Sequence, residues 1–188
     1  MAGDPYKEIK DIIIVGAGPG GSSAAAFLAG QGFSVLLLDK DRFPRDKVCG
    51  DALTPKALYW LEVLGCADSV LERTKSCLTQ GSVFINDEHV LTSTFPRNTG
   101  YPWFSILLKR KDLDHILVHH AVSKGVHFIP DCKAAKLQQE SECMSVEAET
   151  PEGMRTFRAR LVIGADGANS LVSRAIGNQI SQGVAAVG

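Results

Sequence analysis

Two groups of residues in this chain have types and spacing that chemistry could use. The first is Gly16-Ala17-Gly18-Pro19-Gly20-Gly21, a G-x-G-x-x-G turn, with Asp39 closing the next apolar run. Glycine at 16 permits a tight turn out of a strand. Glycine at 18 lets a pyrophosphate approach the backbone, and glycine at 21 lets the following helix pack close to the strand. Pro19 and Gly20 complete the loop, and the free N–H groups and positive dipole end of that helix point at an anion. Asp39 is placed to bond a ribose hydroxyl of an adenosine, with Lys40 beside it. Such a cluster holds a dinucleotide. A P-loop is excluded, because Ser22 stands where a P-loop carries lysine. One rival is a ligand-free strand–helix turn. Another is a membrane span, since no charge occurs between Asp11 and Asp39, but glycine and proline there speak against one unbroken apolar helix.

The second group is looser. Gly164-Ala165-Asp166-Gly167 runs off the end of an apolar segment, Arg110 precedes Leu113 and Asp114 at a helix start, and Cys49-Gly50 ends a charged loop. Arg42, Arg45 and Lys47 precede Cys49, and converging cations favour a reactive thiol. Each feature also has a plain structural reading: an ordinary turn at Asp166-Gly167, a surface cation at Arg110, and a small inert residue at Cys49. His115 and His119 are four apart on a helix, which is metal-ligand spacing, but no H-E-x-x-H or third ligand accompanies them. They read as a solvated face, and no metal site is expected.

The elements that position these residues follow from periodicity. Ile12–Val15 and Val35–Leu38 are short apolar runs suited to a buried parallel sheet, with a helix from Ser22 to about Gln31 between them. Residues 40–51 form a long charged loop. Thr54-Pro55 opens a helix that Gly65 ends, and a short helix follows near Asp68 to Glu72. From Gly81 the period becomes two: residues 82–85 and 89–91 flank a polar turn at Asn86-Asp87-Glu88, and Phe104–Leu108 is a strand. Lys111–Lys124 is helical with a buried stripe of Leu113, Ile116, Leu117 and Ala121. Val126–Ile129 adds a strand to the parallel sheet. Residues 133–139, 145–150 and 156–160 form an antiparallel meander, Leu161–Ala165 is a further buried strand, and a short helix spans about Ser170 to Ile176.

The bulk numbers set bounds. A chain of 188 residues buries one good core, or one domain plus part of another. A hydrophobic share of 45% with 22% charged residues is ordinary for a globular protein. A net charge of -1 gives no electrostatic case for nucleic acid or an anionic membrane surface. Five scattered cysteines, none in a C-x-x-C pair, suit reduced thiols and point to the cytoplasm, and no leader is visible at residues 1–10.

Taken together the motifs resemble the FAD-dependent oxidoreductases of the para-hydroxybenzoate-hydroxylase-like fold. The glycine turn with Asp39 is similar to that family's site for the ADP half of FAD. Gly164-Ala165-Asp166-Gly167-Ala168-Asn169-Ser170 is similar to its second flavin fingerprint, where the Asp bonds the ribityl or pyrophosphate region. Arg110 with Leu113 and Asp114 is similar to its R-x-x-L-D, whose Arg helps hold FAD. Phe43-Pro44-Arg45-Asp46-Lys47-Val48-Cys49-Gly50-Asp51 resembles the F-P-R-x-K-x-C-G segment of geranylgeranyl reductases, in which Cys-Gly lies near the flavin ring. The resemblance implies an α/β fold: a Rossmann-like FAD-binding domain built as a three-layer ββα sandwich, carrying part of a mixed-sheet substrate domain. It divides the chain into a nucleotide-binding segment at 1–80, a partial substrate-domain insertion at 81–110 and a return to the FAD-binding domain at 111–188. It implies hydride delivery from reduced FAD to C=C bonds of a geranylgeranyl or polyprenyl chain, with Cys49 and Gly50 at the ring and Gly16, Gly18, Pro19, Gly20, Gly21, Asp39, Lys40, Arg110, Asp166 and Gly167 binding the cofactor. The electron donor is left open between NADPH and ferredoxin. The expected partner is an apolar isoprenoid, with no nucleic acid and no transmembrane segment, and peripheral membrane contact as an option. Family members run on to a Gly-Asp flavin segment and most of a substrate domain, so a missing C-terminal half is expected, with weak FAD binding and no turnover by this chain alone. The alternatives are an FAD-dependent monooxygenase using NAD(P)H, and a truncated, non-catalytic dinucleotide-binding module.

Overall fold

The computed structural model describes residues 8–49 and 51–178. Gly50, paired with Cys49 above, lies outside the described residues. In chain order the elements are β1 (Ile9–Val15), α1 (Pro19–Gly30), β2 (Val35–Leu38), β3 (Ala52–Leu53), α2 (Pro55–Leu64), α3 (Ala67–Leu71), β4 (Gln80–Ile85) and β5 (Glu88–Thr94). They continue with β6 (Ile106–Leu107), α4 (Arg110–Ser123), β7 (His127–Ile129), β8 (Lys133–Gln139), β9 (Met144–Thr150), β10 (Gly153–Gly164) and α5 (Leu171–Ala175). The chain divides into two compact units, one made of residues up to Arg45 and from Leu117 onward, the other of Asp46–Ile116.

The first unit is organised on a six-stranded sheet of order β7-β2-β1-β10-β9-β8. Ile13, Ile14 and Leu36, Leu37 and Leu38 are fully buried, as β-branched and leucine runs covered on both faces must be. Pairing is parallel from β7 through β2 and β1 to β10, and antiparallel from β10 through β9 to β8. The antiparallel part brings Val146, Ala148, Phe157 and Ala159 into one cluster with Ile13, Val15, Leu36 and Leu38. Helix α1 packs on β1 and β2. The result is the expected Rossmann-like α/β arrangement, one mixed sheet that is parallel on the β7 side and antiparallel on the β8 side, with α1 packed on β1 and β2.

Two sequence expectations change in this unit. The sequence predicts separate strands at 156–160 and 161–165, but residues 156–164 belong to one strand, β10, of 12 residues, which ends at Gly164 and leaves Ala165 outside it. Its first half pairs antiparallel with β9, and its second half pairs parallel with β1, Ile12 against Leu161 and Ile14 against Ile163. Nothing in residues 156–165 demands a turn, so hydrogen bonding continues without a break. Nor is its second half fully buried, for Leu161 is 52% exposed. Leu161 pairs with Ile12, and α1 packs on β1 and β2.

The second unit is smaller and looser. Thr54 caps α2, its side-chain oxygen accepting from the Ala57 N–H at 3.3 Å, and Gly65 ends it in the left-handed region at φ 86°. The hairpin β4–β5 turns at Asn86 and Asp87, both at positive φ, as a two-residue hairpin turn requires. The expected strand at 104–108 shrinks to β6, which pairs with β3, plus a bridge between Ser105 and Leu78. On α4, which runs on into the first unit, the buried stripe is Leu113, Leu117, Val118 and Ala121, with Ile116 only half-buried. Among the described residues no helix is long and apolar enough to cross a membrane.

Candidate functional site: a glycine cradle beside a buried carboxylate

The glycine turn belongs to the first unit and is locked from both sides. Gly16 has φ +100°, and a Cβ built on it would lie 2.3 Å from the Ala165 carbonyl oxygen and 2.9 Å from the Asp166 Cα. A Cβ on Gly21 would lie 1.8 Å from the Gly16 carbonyl oxygen and 3.1 Å from the Ala165 Cβ. These two glycines are therefore required by packing: the first turn and the segment after β10 interlock backbone to backbone. Gly18 and Gly20 differ. A Cβ on Gly20 meets nothing within 4 Å, and one on Gly18 meets only the Arg45 Nη2 at 3.8 Å. Only at 18 and 20 does glycine leave room for something else.

Helix α1 starts at that open place. Pro19 occupies its first turn, no side chain caps it and no acidic residue lies in the first turn. A 12-residue helix whose positive end carries neither cap nor carboxylate offers its first N–H groups to an anion. Ser22 turns inward instead, its hydroxyl donating to the Ala17 carbonyl at 2.8 Å.

Asp39 ends β2 beneath the turn and is 7% exposed. Its Oδ2 accepts from the Ala17 N–H at 2.6 Å, and its Oδ1 accepts from the Asp41 N–H at 2.9 Å. It thus fixes the turn, and each oxygen keeps a further lone pair that a ribose hydroxyl can use. Burial pushes its carboxyl above the usual range, against the pull of those two N–H groups and of Arg45. Lys40, next to it, is exposed. The Asp39 carbonyl accepts from the Cys132 N–H at 2.8 Å, and Arg42 pairs with Asp131, so this loop is tied to the segment after β7.

Arg45 was missed as a site residue. Its side chain is only 14% exposed, its Nε lies 3.4 Å from the Asp41 carboxylate, and its guanidinium lies 4.9 Å from the centre of the Phe43 ring. Held by both, it presents Nη2 toward Gly18. The signal in the sequence was faint: an arginine two residues after a phenylalanine in a loop without periodicity.

Asp166 follows β10. Its Oδ1 accepts from the Ser170 hydroxyl, and its Oδ2 accepts from the Leu171 N–H at 2.6 Å. Ser170 in turn accepts from the Ser173 N–H at 2.9 Å, so Asp166 and Ser170 together cap α5. Gly167 is exposed, at φ +79°. The carboxylate expected to face a ligand is engaged by its own turn.

In the second unit, Arg110 makes a two-pronged pair with Asp114, Nε to Oδ1 at 2.8 Å and Nη2 to Oδ2 at 2.9 Å. The Arg110 guanidinium is held above its ordinary pKa by the Asp114 carboxylate and, to a lesser degree, by Cys49. Cys49 itself is exposed. No group of three or more His, Cys, Asp or Glu residues able to hold a metal occurs among the described residues.

The features of the first unit, an open cradle at Gly18 and Gly20, an uncapped helix start, an arginine beside it and a buried carboxylate at the end of β2, fit the diphosphate and ribose of an adenine dinucleotide. Comparison with known proteins names it. Menaquinone reductase of Mycobacterium tuberculosis is 32% identical over 169 residues, which is 90% of this chain and 40% of that protein. Digeranylgeranylglycerophospholipid reductase 1 of Methanopyrus kandleri is 32% identical over 173 residues, 89% of this chain and 42% of that protein. The chain thus spans about two fifths of the length of these relatives. The crystal structure of p-nitrophenol 4-monooxygenase PnpA from Pseudomonas putida DLL-E4 superposes with a TM-score of 0.79 at 23% identity, over 90% of this chain and 44% of that one. The family model described as FAD binding domain matches residues 10–187, and the chain belongs to that family of FAD-dependent flavoproteins.

Proposed function

We propose that this chain is the FAD-binding portion of a flavin-dependent reductase that saturates C=C bonds in a geranylgeranyl or polyprenyl chain. The observation that carries the reading is the segment Phe43–Asp51, with its Pro-Arg and Cys-Gly, in a chain whose relatives include reductases named for menaquinone and for a digeranylgeranyl lipid. FAD, when bound, supplies the hydride chemistry. Gly18 and Gly20 leave its diphosphate room, the first N–H groups of α1 and the Arg45 guanidinium oppose its charge, and Asp39 accepts from a ribose hydroxyl. Arg110, Asp166 and Gly167 are assigned to the cofactor, and Cys49 and Gly50 to the ring, by the family resemblance. The isoprenoid substrate, the NADPH or ferredoxin donor, a cytoplasmic setting and a completing C-terminal half belong to the same proposal.

The test is anaerobic incubation of the FAD-loaded protein, reduced with dithionite, with geranylgeranyl diphosphate and with a menaquinone. Mass spectrometry then looks for the gain of one H2 per saturated bond. For the chain alone we expect weak FAD binding and no saturation, and for the chain completed by the remaining family segment we expect saturation. Stoichiometric, tightly held yellow cofactor on the chain alone would overturn the first expectation, and no saturation in the completed protein would overturn the reading. The likeness to a monooxygenase structure favours one other reading, hydroxylation with NAD(P)H and oxygen. An oxygen-bearing product in the same assay run in air would replace the reductase by it.

A further inference from the structure

The Arg110–Asp114 pair has no explanation in stability. Asp114 is completely buried, and the Arg110 side chain is 15% exposed. Taking a carboxylate out of water costs several kcal/mol, and an apolar residue of similar volume generally serves stability as well or better. The pair also runs against helix electrostatics. Arg110 is the first residue of α4, where the helix dipole disfavours a cation, and the favoured i,i+4 order places the acid before the base rather than after it. What the pair does achieve is geometric. A two-pronged contact fixes the plane and direction of a guanidinium, which a single contact does not. Of the five N–H bonds of Arg110, Asp114 takes two, leaving three for other partners, of which the Cys49 side chain is one. The helix start is held as well, with the Arg110 N–H donating to the Asp51 carboxylate at 3.3 Å.

We propose that Asp114 is a positioning residue: it clamps Arg110 so that the guanidinium presents its remaining N–H edge beside Cys49, preorganised for the flavin cofactor. This rests on the reading above that Arg110 helps hold FAD. A clamp of this kind matters through preorganisation, because an arginine already frozen in place loses little freedom when it binds.

The test is FAD affinity, read by flavin fluorescence on titrating the purified chain, with the melting temperature measured on the same samples. Arg110→Ala, Asp114→Asn and the double variant form a cycle. Loss of Arg110 is expected to weaken FAD roughly tenfold, Asp114→Asn to weaken it comparably, and the double variant to be no weaker than Arg110→Ala. Asp114→Glu keeps the charge but pushes the guanidinium out of place, and serves if the asparagine variant does not fold. It is expected to hold its melting temperature and still lose affinity severalfold. A merely structural Asp114 would lower the melting temperature and leave the affinity of the folded protein alone. Wild-type affinity in either folded Asp114 variant, or effects that add in the cycle, overturns the positioning role while Arg110 remains a ligand. Wild-type affinity in Arg110→Ala overturns the FAD reading of Arg110 and the clamp with it.

Discussion

The glycine turn separates into packing glycines and ligand glycines, and a pair of alanine variants can tell them apart. In Gly16→Ala the new methyl carbon is placed 2.3 Å from the Ala165 carbonyl oxygen and 2.6 Å from its carbon. Both are backbone atoms, so no side-chain rotation relieves the clash, and β1 must part from the segment after β10 by about 1 Å to reach ordinary contact. Overpacking of this kind costs about 1–3 kcal/mol. The residue also has φ +100°, which adds roughly 1 kcal/mol for alanine. The total is about 2–4 kcal/mol, a fall on the order of 10 °C in the melting temperature of a domain this size. Gly18→Ala is the contrast. Its backbone, at φ -66° and ψ -177°, suits alanine, and its Cβ meets nothing closer than the Arg45 Nη2 at 3.8 Å. Stability should change by less than about 1 kcal/mol, while FAD affinity falls roughly tenfold, because the methyl fills the space the diphosphate needs. Urea melts followed by circular dichroism give the first quantity and flavin fluorescence the second. A Gly16→Ala protein as stable as the parent would refute the packing argument. A Gly18→Ala protein with the parent's FAD affinity would refute the cradle.

Three further outcomes are expected. Arg45→Ala should weaken FAD about tenfold with little loss of stability, since the side chain contributes its charge at the turn, and titration with FAD at two salt concentrations checks it. In the native protein at pH 8, iodoacetamide should modify the exposed Cys49 and Cys77 and spare the buried Cys66, Cys132 and Cys143, as mass spectrometry of the digest will read. Burial pushes the Cys66 and Cys132 thiols to about 11, from 9.0 for a free thiol. Unfolding therefore releases protons between those values, and the stability these thiols confer is complete below pH 9 and lost as pH rises through 11; melting temperatures from pH 8 to 11 should fall accordingly.

The nucleotide-binding core was legible because its determinants are local. Ile12–Val15, the glycine turn and Val35–Leu38 each carry their own signal, and the same holds for the Thr54 cap, the Gly65 stop and the Asn86-Asp87 turn. What escaped the sequence depends on distant partners. Leu161 belongs to an apolar run, yet it is 52% exposed, because burial depends on what packs over a strand and not on the strand's own residues. On α4, Val118 is buried and Ile116 only half-buried, a choice between neighbouring positions that apolar spacing alone does not make. Arg45 lies in an aperiodic loop, and only Asp41, Phe43 and the nearby turn give its direction meaning. Asp166 was recognised by its motif, but its hydrogen bonds to Ser170 and Leu171 show a carboxylate shaping its own turn first.

Strand β10 carries a mechanical consequence. One uninterrupted ribbon leaves the antiparallel meander at Ala159 and arrives, five residues later, at the Gly164 that precedes the carbonyl against which Gly16 rests. A strand resists stretching, so any loosening of the meander core is delivered along the ribbon to the rim of the cradle. Phe157 and Val146 share one packed cluster with Ile13 and Val15, so the meander is joined both by backbone and by side chains to the strand from which the cradle springs, and it serves as the anchor of the cradle's rear wall.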